Sequence, residues 1–351
     1  MIDSRIKMAR VMSGYSLQQL ADKTDNAISK QSISKYEKGL MKPTIENLTI
    51  IAKALKLKLD YFLKESSIDL GEIKYRKQNR LPIKKQKAII EKTRDFLERY
   101  IEVEDLLNVS EQQILIPKSI RVGGLEEMEV ITSKLRNDWD IGSDPISNVF
   151  ETLEQRGVKI LYLDEVIPHF YGMSTWVNDN VPVIVLSKMP IDRIRFTALH
   201  ELGHLLLDIE GLEDKAQERM CDRFAASMLL PKAALINELG GVRRNIHLRE
   251  LALIKSEYGI SPQAILYRAK DLKLISEQYF IQQVKFMRTR GLWRREIGSF
   301  KGEEKSNRLL QLLCRGIAEE FITSTKAASL YNMKLSEFRR VINQTNATSN
   351  N

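Results

Sequence analysis

The stretch His200-Glu201-Leu202-Gly203-His204 restricts the fold more than any other part of this chain. It lies inside Arg195-Phe-Thr-Ala-Leu-His-Glu-Leu-Gly-His-Leu-Leu-Leu207, an apolar run that reads as a buried helix. Side chains four apart share a helix face, so the imidazoles of His200 and His204 point the same way. Two imidazoles at that spacing grip one zinc ion. Glu201 follows the first by one position, where its carboxylate can reach a water on the metal as general base. The chain has only 4 histidines and two of them fall into this pattern, which argues against coincidence.

Two imidazoles leave a zinc site one ligand short, because catalytic sites usually take three protein ligands plus an open position. A glycine-containing turn over 208–214 leads into a second helix over 216–230, closed by Pro231. Glu218 and Asp222 stand four apart on its first turns. Without the upstream histidines they would read as two solvated carboxylates. With them, Glu218 is the expected third ligand, and Glu213 and Asp214 are the alternatives. Asp222 is expected to accept a hydrogen bond from the non-metal nitrogen of a ligating histidine. Cys221 reads as a small packed residue.

At 351 residues, 43% of them hydrophobic, the chain should hold two or three domains with real cores. No stretch approaches 18 consecutive apolar residues, so no membrane partner is expected. The first residues lack the apolar run of a signal peptide, and the only cysteines are Cys221 and Cys314. A reducing cytoplasm is the expected setting.

The net charge of +9 is unevenly placed, since residues 1–64 hold 12 Lys and Arg against 6 Asp and Glu. A concentrated basic segment suggests a polyanion partner. Five short helices are expected there, over 5–13, 17–24, 30–37, 45–55 and 59–63, with Ser16 and Thr44 as caps and Gly39 as a stop. The residues Leu17-x-x-Leu20-Ala21, Ile33-Ser34-Lys35-Tyr36-Glu37-Lys38-Gly39, Pro43-Thr44 and Leu48-x-x-Ile51-Ala52-x-x-Leu55 resemble the helix-turn-helix domain of phage-repressor and Xre-type regulators. The resemblance implies double-stranded DNA as partner, with the helix over 30–37 in the major groove. Lys30, Gln31 and Ser32 would meet base edges, with Ser34 and Lys35 behind them, and Lys38 and Lys42 would hold phosphates. The stretch from Ala21 to Ile33 is about two residues longer than the usual pattern, which shifts the reading helix. A helical module without DNA binding is the competing reading.

After a loop over 63–71 and a charged run over 74–80, an amphipathic helix over 82–107 reads as a packed domain helix, with a rigid spacer or a homodimer element as alternatives. Helices are expected over 126–139 and 148–155 and strands over 158–163 and 181–187, separated by a polar, aromatic loop over 169–180. Pro182 suits an edge strand, which could accept a substrate peptide as an extra strand. His169 and Tyr171 in the loop are the available oxyanion donors, although a solvated loop histidine is the plainer reading; His247 reads as structural. Beyond 240 the chain reads as helical, with hairpin outlines over 248–272 and 324–341, and an aromatic–arginine run over 286–295.

The run Arg193-x-Arg195-Phe196-Thr-x-x-His200-Glu201-Leu202-Gly203-His204, followed by Glu218-x-x-Cys221-Asp222-x-Phe224-Ala225-Ala226 and Leu229-Leu230-Pro231, resembles the ImmA/IrrE family of bacterial zinc metallopeptidases. Leu135-Arg136-x-x-Trp139 and Leu153-Glu154-x-x-Gly157 agree with it, while Cys221 replaces the family's usual alanine. The resemblance implies a zinc endopeptidase fused to an Xre-type domain, with a transcriptional repressor as substrate. The expected fold is multidomain and mainly α: an all-α helix-turn-helix domain over 1–66, a helical connector over 67–118, a small α+β zincin-like domain over 119–240, a helical subdomain over 241–342 and a disordered tail over 343–351. The competing functions are a transcription factor whose metal domain senses or scaffolds, and an antitoxin-like interaction protein.

Overall fold

The computed structural model describes residues 2–64, 68, 70, 81–109, 115–292 and 297–347. The expected charged run over 74–80, most of the loop over 63–71, and residues 293–295 of the aromatic–arginine run lie outside the described residues. The chain divides into two compact units. One holds Met1–Glu72, Lys77–Ser110 and Leu312–Asn351; the other holds Ile73–Arg76 and Glu111–Gln311.

The first unit opens with α1 (Ile2–Met12), α2 (Leu17–Lys23), α3 (Lys30–Glu37), α4 (Ile45–Leu55) and a 3-10 turn over Leu59–Leu63. The caps are set locally. Ser16 and Gln19 form a capping box, Ser29 Oγ accepts from the Ser32 N–H, and Thr44 Oγ1 accepts from the Asn47 N–H. Ile6, Leu20, Ile33, Ile51 and Phe62 close a small core. The Arg10 guanidinium forks onto both carboxylate oxygens of Glu37 at 2.5 and 2.7 Å and ties α1 to α3. The long α5 (Ile83–Leu106) packs in this unit through Ile89, Phe96, Leu97, Tyr100 and Val103. Arg5, nearly fully buried, donates to Glu98 at 2.6 Å and to the Lys64 carbonyl at 3.0 Å, so α1 is pinned to α5.

The second unit runs β1 (Ile120–Arg121), α6 (Met128–Asp138), α7 (Val149–Glu154), β2 (Lys159–Leu163), β3 (Gly172–Val177), β4 (Val181–Ser187), α8 (Ile191–Leu206), β5 (Leu207–Asp208), α9 (Asp214–Leu229), α10 (Lys232–Leu239), α11 (Leu248–Tyr258), α12 (Pro262–Asp271) and α13 (Glu277–Thr289). A three-stranded sheet has the order β2-β4-β3, with β2 parallel and β3 antiparallel to β4.

Two expectations are corrected here. Residues 172–177, read as part of a loop, form strand β3, and 181–187, read as an edge strand, is the central one. Val183, Ile184, Val185 and Leu186 are all fully buried, which is what a strand covered on both faces requires. Pro182 is tolerated because the ladder to β2 begins only at Val183, so its missing N–H is not needed on that side.

A strap without regular structure, over 297–307, crosses α7 and α8. Glu304 pairs with the fully buried Arg195 of α8 and also accepts from the Phe150 N–H at 3.0 Å, at the start of α7. The Asn148 side chain donates to the Lys305 carbonyl at 2.9 Å. Arg195 further donates to the Ile146 and Tyr258 carbonyls at 2.5 and 3.3 Å and lies 4.2 Å from the Phe300 ring centroid. Gly259, at φ 62°, follows α11; a Cβ there would collide with the Arg195 guanidinium.

The last helices are α14 (Arg308–Ala318), α15 (Ser324–Leu330) and α16 (Leu335–Ala347). The structure parts the chain differently from the division read from sequence, because residues from Leu312 onward group with the first unit. Arg99 of α5 donates to the Leu330 carbonyl at 2.8 Å, and Lys326 of α15 pairs with Glu102 of α5. The segment from 343, expected to lack structure, is helical through Ala347.

Glu154, at the end of α7, is buried and accepts from the Ser306 hydroxyl; burial pushes its carboxyl up to about 8. A carboxyl protonated in the fold but ionised in the unfolded chain binds an extra proton on folding between its two pKa values. Its contribution to stability is therefore complete below about pH 4.5 and is lost as pH rises toward about 8. Glu154→Gln should flatten the fall in stability over that window. The variant should gain on the native chain at about pH 8, by an amount on the order of a few kcal/mol, and gain nothing near pH 4. Urea unfolding at the two pH values checks it.

Candidate metal centre and nucleic-acid face

Helix α8 is buried along nearly its whole length, from Asp192 to Leu206, and its run of thirteen mostly apolar residues is longer than an ordinary buried strand. Helix α9 packs tightly against it at Gly203. A Cβ on Gly203 would stand 3.3 Å from Cys221 Cα, Cys221 Sγ and Phe224 Cδ1, so the glycine and the buried Cys221 together allow the close approach. This contact brings Glu218 of α9 beside the two histidines of α8.

His200, His204 and Glu218 each present one ligand atom, and the three atoms lie within 4.8 Å of one another. His200 is buried, 6% exposed, while Glu218 is 43% exposed at its side chain, so the cluster opens to solvent on one side. His200 Nδ1 lies 2.7 Å from Asp222 Oδ1, and its Nε2 lies 3.8 Å from Glu218 Oε2. With Nδ1 engaged, Nε2 is the atom left facing the cluster. It is buried and makes no hydrogen bond among the described residues. Two imidazole nitrogens, one carboxylate oxygen and an open side fit a catalytic zinc site with three protein ligands. His200-Glu201-x-x-His204 with Glu218 alongside is thus a zincin-type active-site triad, and zinc is the metal its donor set suits.

The structure adds a residue that the sequence reading missed. Ser174 of β3 donates its hydroxyl to Glu201 Oε2 at 2.9 Å. Strand β3 lies directly along α8: Trp176 Nε1 donates to the Leu205 carbonyl at 3.1 Å, and a Cβ on Gly172 would meet Glu201 Cγ at 3.1 Å and Thr197 Cγ2 at 3.0 Å. The β-branched and aromatic residues of Thr175-Trp-Val177, with Met173 and Val177 buried on one face, were the available signal for a strand. The remaining residues singled out from sequence sit apart in role. His247 caps α11 in a box with Glu250, His169 is exposed in the loop before β3, and Tyr171 lies under the Arg193 guanidinium at 4.0 Å.

In the first unit, Lys30, Gln31, Lys35, Lys38 and Lys42 are exposed on and just after α3, and Ser32 and Ser34 are half-buried. Ser32 Oγ lies 3.0 Å from Ser29 Oγ, so that hydroxyl is partly committed to the start of the helix. Ile33 and Tyr36 turn the opposite face of α3 inward.

Comparison with known proteins agrees with both readings. Residues 6–62 match the helix-turn-helix family model, and residues 153–270 match the IrrE N-terminal-like domain. Among curated proteins, the chain is 36% identical over 75 residues to the SPbeta prophage-derived uncharacterized HTH-type transcriptional regulator YonR of Bacillus subtilis, covering 21% of this chain and 68% of that protein. It is 28% identical over 129 residues to an uncharacterized HTH-type transcriptional regulator of Rickettsia prowazekii, covering 36% of this chain and 87% of that one. A Rickettsia conorii protein of the same description is 31% identical over 96 residues, 27% of this chain and 70% of its own length.

The α8–α9 contact makes a direct prediction. Gly203→Val should force the helices apart, costing about 1–3 kcal/mol by overpacking, and should lower zinc affinity together with stability. Thermal unfolding with and without a chelator measures both. Native zinc affinity in a destabilised Gly203→Val protein would show that the contact does not set the spacing of Glu218.

Proposed function

We propose that this chain, which belongs to the helix-turn-helix transcriptional regulators and carries an IrrE N-terminal-like domain, is a DNA-binding zinc endopeptidase that cuts a transcriptional repressor and thereby releases the genes it silences. The observation that carries this reading is the His200–His204–Glu218 cluster with Glu201 beside it, in one chain with an exposed basic reading helix. Such a regulator works in the cytoplasm, where both DNA and repressor are found. No helix among the described residues is long and apolar enough to cross a membrane.

His200, His204 and Glu218 would hold the zinc, which when bound would supply Lewis acidity toward a peptide carbonyl and a water. Glu201 takes the proton of the attacking water and passes it to the leaving amine. Ser174 holds one oxygen of Glu201 and leaves the other for that transfer. Asp222, accepting from His200 Nδ1, fixes the tautomer in which Nε2 faces the metal. With β4 central, the strand end of the sheet nearest Glu201 is β3, and an extended substrate segment would lie along it and across the triad. On α3, Lys30, Gln31 and Ser32 would contact bases, with Ser34 and Lys35 behind them, and Lys38 and Lys42 would neutralise phosphates.

Two substitutions separate the roles. Asp222→Ala should weaken zinc binding about 10–100-fold while leaving the fold intact, as chelator competition would show. Glu201→Gln should keep zinc and abolish cleavage. The decisive mixture is zinc-loaded protein with the Xre-type repressor encoded nearest its gene, resolved by mass spectrometry. Fragments from the native protein alone establish the peptidase. An intact repressor in both tubes supports a regulator whose metal domain does not cut.

A further inference from the structure

We propose that the C-terminal hairpin α15–α16 is a second reader of double-stranded DNA, with α16 as the helix that enters the groove. The inference is independent of the metal centre and goes beyond the assignment of DNA binding to α3.

The hairpin has the build of a helix-turn-helix. Two helices are joined by four residues, 331–334, within the three-to-four-residue turn that defines the motif. Asn332 makes the turn at φ 57°, and the Met333 N–H bonds back to the Ala328 carbonyl at 2.9 Å. The first motif is looser, with six residues, 24–29, between α2 and α3. The inward residues correspond. Leu20 and Ala21 on α2 are matched by the buried Ala327 and Ala328 on α15. Ile33, fourth residue of α3, is matched by Phe338, fourth residue of α16, and both are 0% exposed.

The outward residues also suit DNA. Ser336, Arg339, Arg340 and Asn343 are all exposed, and their spacing of three, four and seven puts them on one helix face. Lys334 is exposed just before them. Lys334, Arg339 and Arg340 make no ion pair among the described residues, and Glu337 is the one acidic residue within α16. Two arginines and two short amide or hydroxyl side chains on one open face combine phosphate holders with groups that bond base edges. The α11–α12 hairpin provides an internal contrast. It has the same outline around Gly259, but α12 buries Pro262, Ile265, Leu266, Arg268 and Ala269, and only Tyr267 and Asp271 of its ten residues are exposed. That second helix is committed to the core and cannot enter a groove, whereas α16 is not so committed. Both exposed reading helices belong to the first unit, α3 through the α1–α5 contact and α16 through the α15–α5 contact.

The test uses the full-length protein and a fluorescent random-sequence duplex of about 30 base pairs, titrated between about 50 and 200 mM salt. Arg339→Gln/Arg340→Gln should weaken binding by roughly tenfold at the higher salt and make the salt slope shallower by about 1–2, as expected for two lost phosphate contacts. Arg339→Lys/Arg340→Lys keeps the charges and should restore the slope, a rescue that structural damage would not give. Lys30→Ala/Lys35→Ala, made in parallel, reports α3 separately, and residual binding in that variant should disappear when the α16 substitutions are added. If Arg339→Gln/Arg340→Gln retains native affinity and slope, the proposal is overturned in favour of a protein-docking hairpin, whatever the α3 variant does. Loss of binding in the α3 variant alone would at the same time uphold the first motif as the sole reader.

Discussion

The close approach of α9 to α8, at Gly203 against Cys221, is the contact on which the chemistry depends. Two histidines on one helix face are a property of spacing alone, and many helices carry such a pair without consequence. They become a metal site only when a third donor arrives from elsewhere, and the distance at which it arrives is set by backbone packing. The absent side chain at Gly203 and the small one at Cys221 let α9 come near enough for Glu218 to complete the cluster and for Asp222 to reach the far nitrogen of His200. The Glu201 carboxylate is fixed from the other side, where Gly172 lets β3 lie against it and Ser174 holds it.

What was legible in the sequence was what depends on neighbours within a turn or two. Helices of the first unit start and stop where Ser16, Thr44 and Gly39 dictate, because a cap is satisfied within three residues of itself. The triad was legible for the same reason on α8, and Glu218 followed from its place on the next helix. The sheet was misread because strand order is a matter of partners distant in sequence. The proline near the start of 181–187 suggested an edge, yet the ladder it would interrupt starts one residue later. Ser174 was missed because a polar residue in an aromatic segment reads as loop until the strand beside it is known. The grouping of Leu312 onward with the N-terminal helices rests on contacts such as Arg99 with Leu330, separated by 231 residues, which no local pattern announces.

Buried arginines do similar structural work throughout the second unit. Arg136 donates to the carbonyls of Gly142, Asp144 and Met228, and Arg268 binds the Leu230 carbonyl, Ser227 and Glu129. A guanidinium satisfies several carbonyls at once where loops pass through the interior, so irregular segments can be buried without orphaned backbone groups. Removing one such arginine would leave multiple acceptors unsatisfied together, a larger loss than a missing surface ion pair.

The Arg195–Glu304 pair also sets an order of events as the chain is made. The first four helices and their core close within the first 62 residues, so that motif can form early in synthesis. The metal-bearing helix is different, since its buried guanidinium finds its carboxylate 109 residues later. Until the ribosome has delivered that strap, Arg195 lacks this counter-charge, and burying an unpaired guanidinium is unfavourable. In a newborn chain the N-terminal helix-turn-helix can therefore close before the metal-bearing helix has its counter-charge.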